Sequence, residues 1–305
     1  DGLGYGCKDN GLLFSINAHI WGSVMPILNF GTDSQRKKYL PGLSKGRLIG
    51  AYAATEPGAG SDIFAMQATA VKKMNCYILN GTKTFITNAP VADLFLVFAK
   101  VVKSNESKIS CFIVEKGARG FSASKKIEKM GLRTSPFGEL IFQDCVVEEK
   151  NLLGKDGMGK IIFSDVMEQE RAFIMATQVG AMKRQLEECL RYAKMRRQFG
   201  KIIFEFESIS NMLADMKVRI ETSSLLLYKL AWLKQHKKRA FLDSSIAKLH
   251  ISECCLKNSL SALRIFGGYG YSTEYEVERQ LRDALGGLLY SGTSEMQRYI
   301  ISNLL

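Results

Sequence analysis

From residue 157 to its last residue the chain keeps a helical period with few breakers, whereas residues 51–150 carry no long helical stripe at all. Lys160–Arg196, Ile209–Lys237 and Leu242–Gly267 each place apolar residues on one face, and a short helix is expected to close the chain. Stripes of this kind bury their apolar faces against one another, so they predict a helical bundle. The intervening stretch is rich in Gly, Thr, Ile, Val and Phe and is cut by frequent turn signals. Cys76–Lys83 reads as a strand running into an Asn80-Gly81 hairpin turn, and Leu94–Val101 and Ile109–Val114 read as short apolar strands. That pattern predicts a small β-domain, a barrel or a sandwich. Residues 1–50 are again mostly helical, with a helix starting at Asp33 as N-cap and stopped by Pro41-Gly42. The expected class is therefore α+β: a helical part over 1–50, a β-domain over 51–154 and a bundle over 155–305.

Composition narrows the functional classes. With 305 residues, 46% of them hydrophobic, the chain can bury a large core. No apolar run reaches the roughly 18 residues of a membrane span. The opening Asp1-Gly2-Leu3-Gly4-Tyr5-Gly6 reads as the middle of a domain, not as a signal peptide. Cys7, Cys76, Cys111, Cys145, Cys189, Cys254 and Cys255 form an odd set without C-x-x-C spacing, which disfavours a disulfide framework or a zinc site and suits a reducing cytoplasm. A net charge of +12 is either a solvated face or a sign of an anionic partner: nucleic acid, CoA phosphates or an acidic protein. The basic clusters, such as Arg36-Lys37-Lys38 and Lys237-Lys238-Arg239, lack the interleaved aromatics of single-strand binders.

Three stretches carry chemistry. In Tyr52-Ala53-Ala54-Thr55-Glu56-Pro57-Gly58-Ala59-Gly60-Ser61-Asp62, glycines and hydroxyl residues surround a proline turn; such a loop either exposes backbone N–H groups to a polar or anionic ligand or is a plain turn. Arg264-Ile265-Phe266-Gly267-Gly268-Tyr269-Gly270-Tyr271 ends a helix in a Gly-Gly stop that also permits close approach to the backbone. In the helix from about 160, Phe163, Val166, Glu170, Phe173, Ile174 and Thr177 share one face, so Glu170 stands alone in an apolar stripe. A carboxylate there is a structural ion pair or a functional group, since burying it uncompensated is costly. Partial burial raises a carboxyl pKa, which suits a general base near neutral pH.

Taken together these stretches resemble the acyl-CoA dehydrogenase family of flavoenzymes. The resemblance runs through FGT..Q..KYLP.L..G at 30–46, AYAATEPGAGSD at 51–62, NGTKTFITNA at 80–89, KMGLR at 129–133, RRQFGK at 196–201, FGGYGY at 266–271, LRDA at 281–284 and YSGTSEMQR at 290–298. It implies a helical domain, a β-domain and a C-terminal four-helix bundle. Family members carry about one more set of N-terminal helices, so the sequence looks like a fragment of the family's length. The implied reaction removes two hydrogens from an acyl thioester: a carboxylate takes the Cα proton, and the Cβ hydride passes to N5 of FAD. The thioester oxygen is held by hydrogen bonds as charge develops on it.

The resemblance also assigns positions. Tyr52, Ala54, Thr55, Gly60 and Ser61 match the loop that lines the flavin, with Ser61 also near substrate. Phe85 and Thr87 match the pair flanking the ring, where many members have Trp in place of Phe85. Arg196 and Phe199 match residues that reach the flavin of a neighbouring subunit, which implies a homotetramer. Gly267 and Gly268 match the pair near the pyrophosphate, and Arg264 stands where Gln is usual. Thr293 and Glu295 match contacts to the adenine half.

In most members Tyr290 would be followed by the catalytic Glu; here Ser291 follows, and a hydroxyl is far too weak a base. A minority, isovaleryl-CoA dehydrogenase among them, places the base on a bundle helix immediately before an arginine. Glu170-Arg171 occupies that place, which makes Glu170 the expected base and Arg171, Tyr290 and Ser291 expected neighbours of the substrate. Relocated bases serve branched acyl-CoA substrates and also the oxidation of prolyl groups tethered to carrier proteins. Ser135-Pro136-Phe137 in place of Ser-Asp-Thr, Phe85 in place of Trp, and a basic surface suited to an acidic carrier favour a prolyl- or aminoacyl-carrier protein over a CoA ester. The alternatives are an isovaleryl-type acyl-CoA dehydrogenase, a catalytically silent member and a nucleic-acid-binding member. No membrane partner and no metal are expected. The electron acceptor would be an electron-transfer flavoprotein or O2.

Overall fold

The computed structural model describes residues 1–102 and 107–305. The N-terminal helices are α1 (Gly2–Gly6), α2 (Asn10–His19), α3 (Met25–Phe30) and α4 (Asp33–Ser44), with a π-helical turn, Ile20–Val24, joining α2 to α3. The strands follow: β1 (Gly50–Ala53), β2 (Thr69–Lys73), β3 (Cys76–Thr87), β4 (Leu94–Val102), β5 (Ser107–Glu115), β6 (Phe121–Ala123), β7 (Phe137–Glu148) and β8 (Leu152–Leu153). The remaining helices are α5 (Gly159–Phe173), α6 (Met175–Met195), α7 (Glu207–Gln235), α8 (Phe241–Phe266), α9 (Gly268–Tyr271), α10 (Val277–Gly286) and α11 (Ser294–Ser302). The order is helices, strands, helices, as the change of period predicts. By internal contacts the chain divides into two compact units, one made of Phe14–Glu128 with Ser135–Glu170, the other of Asp1–Leu13, Lys129–Thr134 and Arg171–Leu305.

The first unit is built on one sheet in the order β6-β7-β3-β2-β4-β5-β8, with β1 beside β4. Strand β4 shows how the sheet is used. Phe95, Val97, Ala99 and Val101 face one buried cluster, while Leu94, Leu96 and Phe98 face another that includes Ile27, Tyr39, Leu43, Ile162 and Val166 from the helices. Phe95 of β4 meets Phe121 of β6 at 4.7 Å although three strands separate them in the sheet, so the sheet curls around its core. The hairpin between β2 and β3 turns at Met74 and Asn75, where Met74 has φ +47°. Asn80-Gly81, expected to be a hairpin turn, is instead a bulge inside the continuous β3, and the register with β7 shifts there. Gly81 has φ +137°, and a Cβ on it would stand 2.8 Å from Ala68 Cα; close backbone approach, not chain reversal, is what this Asn-Gly serves.

Two expectations for the N-terminal helices also change. Thr32, not Asp33, is the N-cap of α4, in a capping box with Gln35. The helix then continues through Pro41 to Ser44, because Tyr39 and Leu43 are buried and the last turn is worth more packed than broken. Asn10–Phe30 is 21 residues of helix with mean hydropathy 1.3, long and apolar enough for a span by length and composition, contrary to the sequence expectation. Two of the polar residues that interrupt this run, Asn17 and Ser23, are buried, and Ile27 is in the core.

In the second unit α6, α7 and α8 pack together, with α10 and α11 against α8. The single helix expected over 160–196 is broken at Ile174, whose carbonyl accepts the Thr177 hydroxyl (3.1 Å). Helix α8 ends at Gly267 with φ +60°, the Gly stop foreseen from sequence. Helix α10 was not foreseen; its polar Glu-Arg-Gln-Arg-Asp content hides an amphipathic face that buries Val277 and Ala284.

Candidate active site

The loop after β1 is pinned from beneath. Tyr52 packs its ring edge-on to Phe98 (5.1 Å between centroids) and stacks with Phe163 (6.3 Å). Lys83, fully buried on β3, donates to the Ala54 carbonyl (3.0 Å) and to Glu56 Oε1 (2.8 Å). Glu56 accepts also from the amides of Gln67 (2.5 Å) and Ala68 (3.0 Å). Burial alone would push the Glu56 carboxyl up; these donors outweigh it and hold the group below its ordinary value. The Thr84 amide donates to the Thr55 carbonyl (3.0 Å). Ala54–Glu56 is thus fixed while Gly60 and Ser61 remain exposed, and a Cβ on Gly60 would meet nothing within 4 Å. Its backbone is open to a ligand.

Phe85 holds φ +55° with its ring 61% exposed, stacked on Phe137 at 5.7 Å and 20°. A bulky residue in the left-handed region is strained, and the surrounding structure must supply the constraint. Thr87 closes β3 opposite Phe137. The Ser135-Pro136-Phe137 segment is itself anchored: Ser135 is buried and accepts from Ser15 Oγ (2.8 Å), and the Pro136 carbonyl accepts the Asn88 amide (2.8 Å). The buried side chain of Asn88 in turn donates to the carbonyls of Ser15 and Gly50.

On α5 the buried stripe runs through Ile162, Val166 and Met167, so Glu170 lies half-buried at its edge, not at its centre. The carboxylate buried deeply on this helix is Glu168, 5% exposed. The helical wheel misjudged the stripe by about one position because only packing fixes which side of a helix is innermost.

Arg171, next in the chain, belongs to a clamp on the loop that lacks the glutamate. Its Nε donates to the Ser291 carbonyl (3.0 Å). Gln297, fully buried, donates to the carbonyls of Ser291 (3.2 Å) and Gly292 (2.9 Å). Ser291 and Gly292 both have positive φ, +55° and +91°. The Tyr290 hydroxyl accepts from Gln178 Nε2. Thr293 caps α11 by accepting the Met296 amide (3.2 Å). Glu295 is exposed in the first turn, its carboxyl lowered by its own amide and the Thr293 hydroxyl.

A cavity of about 810 Å³ in the second unit brings together Arg196, Phe199, Gly267 and Gly268, with Tyr192 and Tyr269 among its other walls. Phe199 and Gly200 form the two-residue turn of a small hairpin, both at positive φ, and the Phe199 ring is 94% exposed. Tyr192 stacks on Phe266 at 4.1 Å, and the Arg196 guanidinium lies 5.7 Å from the Tyr269 ring. A Cβ on Gly267 or Gly268 would meet nothing within 4 Å. Aromatic faces, an unobstructed Gly-Gly backbone and a guanidinium fit the purine and pyrophosphate of a dinucleotide such as FAD. Arg264 is exposed on the last turn of α8 and is not among the cavity walls. Sequence reasoning passed over Lys83, Asn88, Gln178, Gln297 and Tyr192. Only Lys83, Asn88 and Gln297 lay inside recognised motifs, and no local pattern distinguished them there.

Comparison with known proteins agrees with the resemblance. Residues 51–145 match the family model "Acyl-CoA dehydrogenase, middle domain" and residues 157–305 the model "Acyl-CoA dehydrogenase, C-terminal domain". The chain is 41% identical over its whole length to the L-prolyl-[peptidyl-carrier protein] dehydrogenase of a Serratia species, covering 79% of that protein. Its structure matches the crystal structure of the prolyl acyl carrier protein oxidase AnaB with TM-score 0.97 and 48% identity, covering 99% of this chain and 80% of that one. It matches the structure of PigA with FAD and proline with TM-score 0.96 and 41% identity, over 99% and 79% of the two chains.

Proposed function

Since the chain belongs to the acyl-CoA dehydrogenase family, we propose that it is an FAD-dependent oxidoreductase that dehydrogenates a prolyl group held as a thioester on a peptidyl carrier protein, with Glu170 as the base. The observation that carries this reading is the pair of facts at two positions. Ser291 stands where most members have the base, and Arg171, directly after Glu170, grips the Ser291 carbonyl.

The chemistry that bound FAD would supply here is that of a hydride acceptor. Tyr52, Ala54, Thr55, Gly60, Ser61, Phe85 and Thr87 would line the flavin of their own chain; Arg196 and Phe199 would reach the flavin of a neighbouring subunit; Gly267 and Gly268 would lie near a pyrophosphate and Thr293 and Glu295 near an adenine half; Arg264 would meet a phosphate only from its exposed position. Glu170 takes the Cα proton, a step that a half-buried carboxylate at the margin of an apolar stripe suits. The Arg171 bond to the Ser291 carbonyl supports Ser291 and Gly292 in their left-handed conformation, and the Ser291 side chain is smaller than a glutamate would be. Phe85, locked on Phe137, presents an aromatic face in place of the usual Trp.

The prolyl substrate is supported by the relatives named for it and by the rigid Ser135-Pro136-Phe137 segment. Those relatives are named dehydrogenase and oxidase, so the acceptor is an electron-transfer flavoprotein or O2. A homotetramer in the cytoplasm is proposed with this reading. The outward Phe199 and an exposed stripe on α7, Val218, Leu225, Tyr228 and Trp232, support self-association, and light scattering gives the mass that decides it.

The test follows the visible band of the bound flavin under anaerobic conditions. Prolyl-loaded carrier protein is expected to bleach it, isovaleryl-CoA is not, and Glu170→Gln is expected to abolish the response. Bleaching by the CoA ester would reassign the enzyme to branched acyl-CoA oxidation. Bleaching that survives Glu170→Gln would remove Glu170 as base. A bound flavin that no thioester bleaches would point to a silent or nucleic-acid-binding member.

A further inference from the structure

Asn88 follows Thr87, the last residue of β3, and is 2% exposed with φ +67°. Its side-chain amide donates to two carbonyls from separate elements, Ser15 of α2 (3.1 Å) and Gly50 at the start of β1 (3.3 Å). Its backbone amide donates to the Pro136 carbonyl just before β7 (2.8 Å), and its own carbonyl accepts the amides of Val91 (2.9 Å) and Ala92 (2.8 Å). All of these residues belong to the first unit, so one residue joins three segments of it that are far apart in the chain. Two further bonds close the arrangement. Ser15 Oγ donates to Ser135 Oγ (2.8 Å), and the Gly50 amide donates to His19 Nδ1 of α2 (2.9 Å).

The segments tied here are the ones that lead to the expected flavin-lining residues. Strand β1 runs from Gly50 through Tyr52 towards Ala54 and Thr55, β3 ends in Phe85 and Thr87, and β7 opens on Phe137. Phe85 and Phe137 stack at 5.7 Å and 20°, and Thr87 pairs with Phe137 in the ladder. The ladder between β3 and β7 is irregular at this point: it pairs Lys83 with Leu140 and resumes at Ile86 with Gly138, skipping Thr84 and Phe85. Phe85 therefore holds φ +55° where strand pairing is interrupted, and such a conformation persists only where the surroundings over-determine it. The bonds of Asn88 lie just past the interruption. Asparagine meets both demands of the position, since it tolerates the left-handed region and carries two side-chain N–H donors.

We propose that Asn88 is a positioning residue for the flavin-lining face: its side-chain donors tie the end of β3 to α2 and β1, and so hold Thr87 and the Phe85–Phe137 pair in one arrangement. The inference rests on reading Tyr52, Thr55, Phe85 and Thr87 as the residues that line the flavin, and it can be measured without turnover.

Asn88→Gly keeps the left-handed region accessible and removes only the side-chain donors. Its dissociation constant for FAD is expected to rise about 10-fold, because two buried carbonyls lose their donors and the lining face loosens. The visible circular dichroism of the bound flavin is expected to change shape. Ser135→Ala cuts the bond to α2 on the other side of Pro136; it is expected to act in the same direction and more weakly, and it decides the matter should Asn88→Gly fail to fold. With prolyl-loaded carrier protein, the limiting rate of flavin bleaching is expected to fall about 10- to 100-fold in Asn88→Gly with apparent substrate affinity nearly unchanged. A lower melting temperature with FAD affinity, circular dichroism and rate all as in wild type would make Asn88 a structural turn residue and overturn the proposal. Phe85→Ala separates this failure from that of the reading beneath it. If Phe85→Ala alters the flavin dichroism and neither other variant does, the positioning role alone falls. If Phe85→Ala leaves it unaltered too, the flavin-lining reading falls and the proposal with it. If no thioester bleaches the wild type, the substrate reading fails, and FAD affinity and dichroism still decide the role of Asn88.

Discussion

At the scale of single residues, two jobs that one glutamate does in most of the family are separate under the proposed function: Glu170 is the base, and the Ser291 loop, held by Arg171 and Gln297, keeps the shape. Replacing Glu170 by Gln keeps the size and hydrogen-bonding reach and removes the base. The limiting rate of flavin reduction should drop about 10²- to 10⁴-fold while substrate affinity changes little, as stopped-flow titration would show. The buried Lys83–Glu56 pair is a different case. Lys83→Met leaves the Glu56 carboxylate buried and short of a partner, and about 3–5 kcal/mol of stability should be lost in denaturant titration. Adding Glu56→Gln should restore part of that loss, since removing both charges leaves less to desolvate. Because the Glu56 carboxyl is lowered in the fold, its contribution is present above the unfolded carboxylate value of about 4.3 and disappears as pH falls through its folded value. Wild type should therefore lose stability in acid more steeply than the double variant.

At the scale of elements, glycine decides how closely helices approach. A Cβ on Gly4 would stand 2.0 Å from the Thr177 carbonyl oxygen, and one on Gly180 would stand 2.1 Å from that of Asp1. The short α1 therefore lies backbone against backbone on α6, and Arg184 of α6 caps it by donating to the carbonyls of Gly4, Tyr5 and Cys7. Gly180→Ala should push α1 away at a cost of about 1–3 kcal/mol. Limited proteolysis should then cut first within residues 2–8; an unchanged melting curve and cleavage pattern would contradict the close approach. The same logic explains the bulge at Gly81, where Ala68 occupies the space a side chain would need.

At the scale of the molecule, a net charge of +12 should matter for a protein substrate and hardly at all for a small one. If an acidic carrier delivers the prolyl group, KM for the loaded carrier should rise severalfold between low and high salt, as screening shortens to about 8 Å at physiological ionic strength. KM for a prolyl thioester of a pantetheine fragment should stay flat over the same range. Equal salt responses would place the basic surface outside substrate capture.

The order of helices, strands and helices, the stop at Gly267, the missing glutamate at 291 and the carboxylate at 170 were all readable from the chain, because each is local: a period, a φ that favours glycine, a residue type at a motif position. Tertiary structure alone decided that Asn80-Gly81 makes a bulge, that α4 runs through Pro41, that the bundle helix breaks at Ile174 and that Glu170 sits at the edge of its stripe. It alone joined Arg171 and Gln297 to Ser291 and Lys83 to Glu56, and it alone held Phe85 and Phe199 in the left-handed region. The physical reason is range. Backbone propensity acts over a few residues, whereas a buried charge finds its partner, and a strained residue its constraint, through packing between segments distant in the chain.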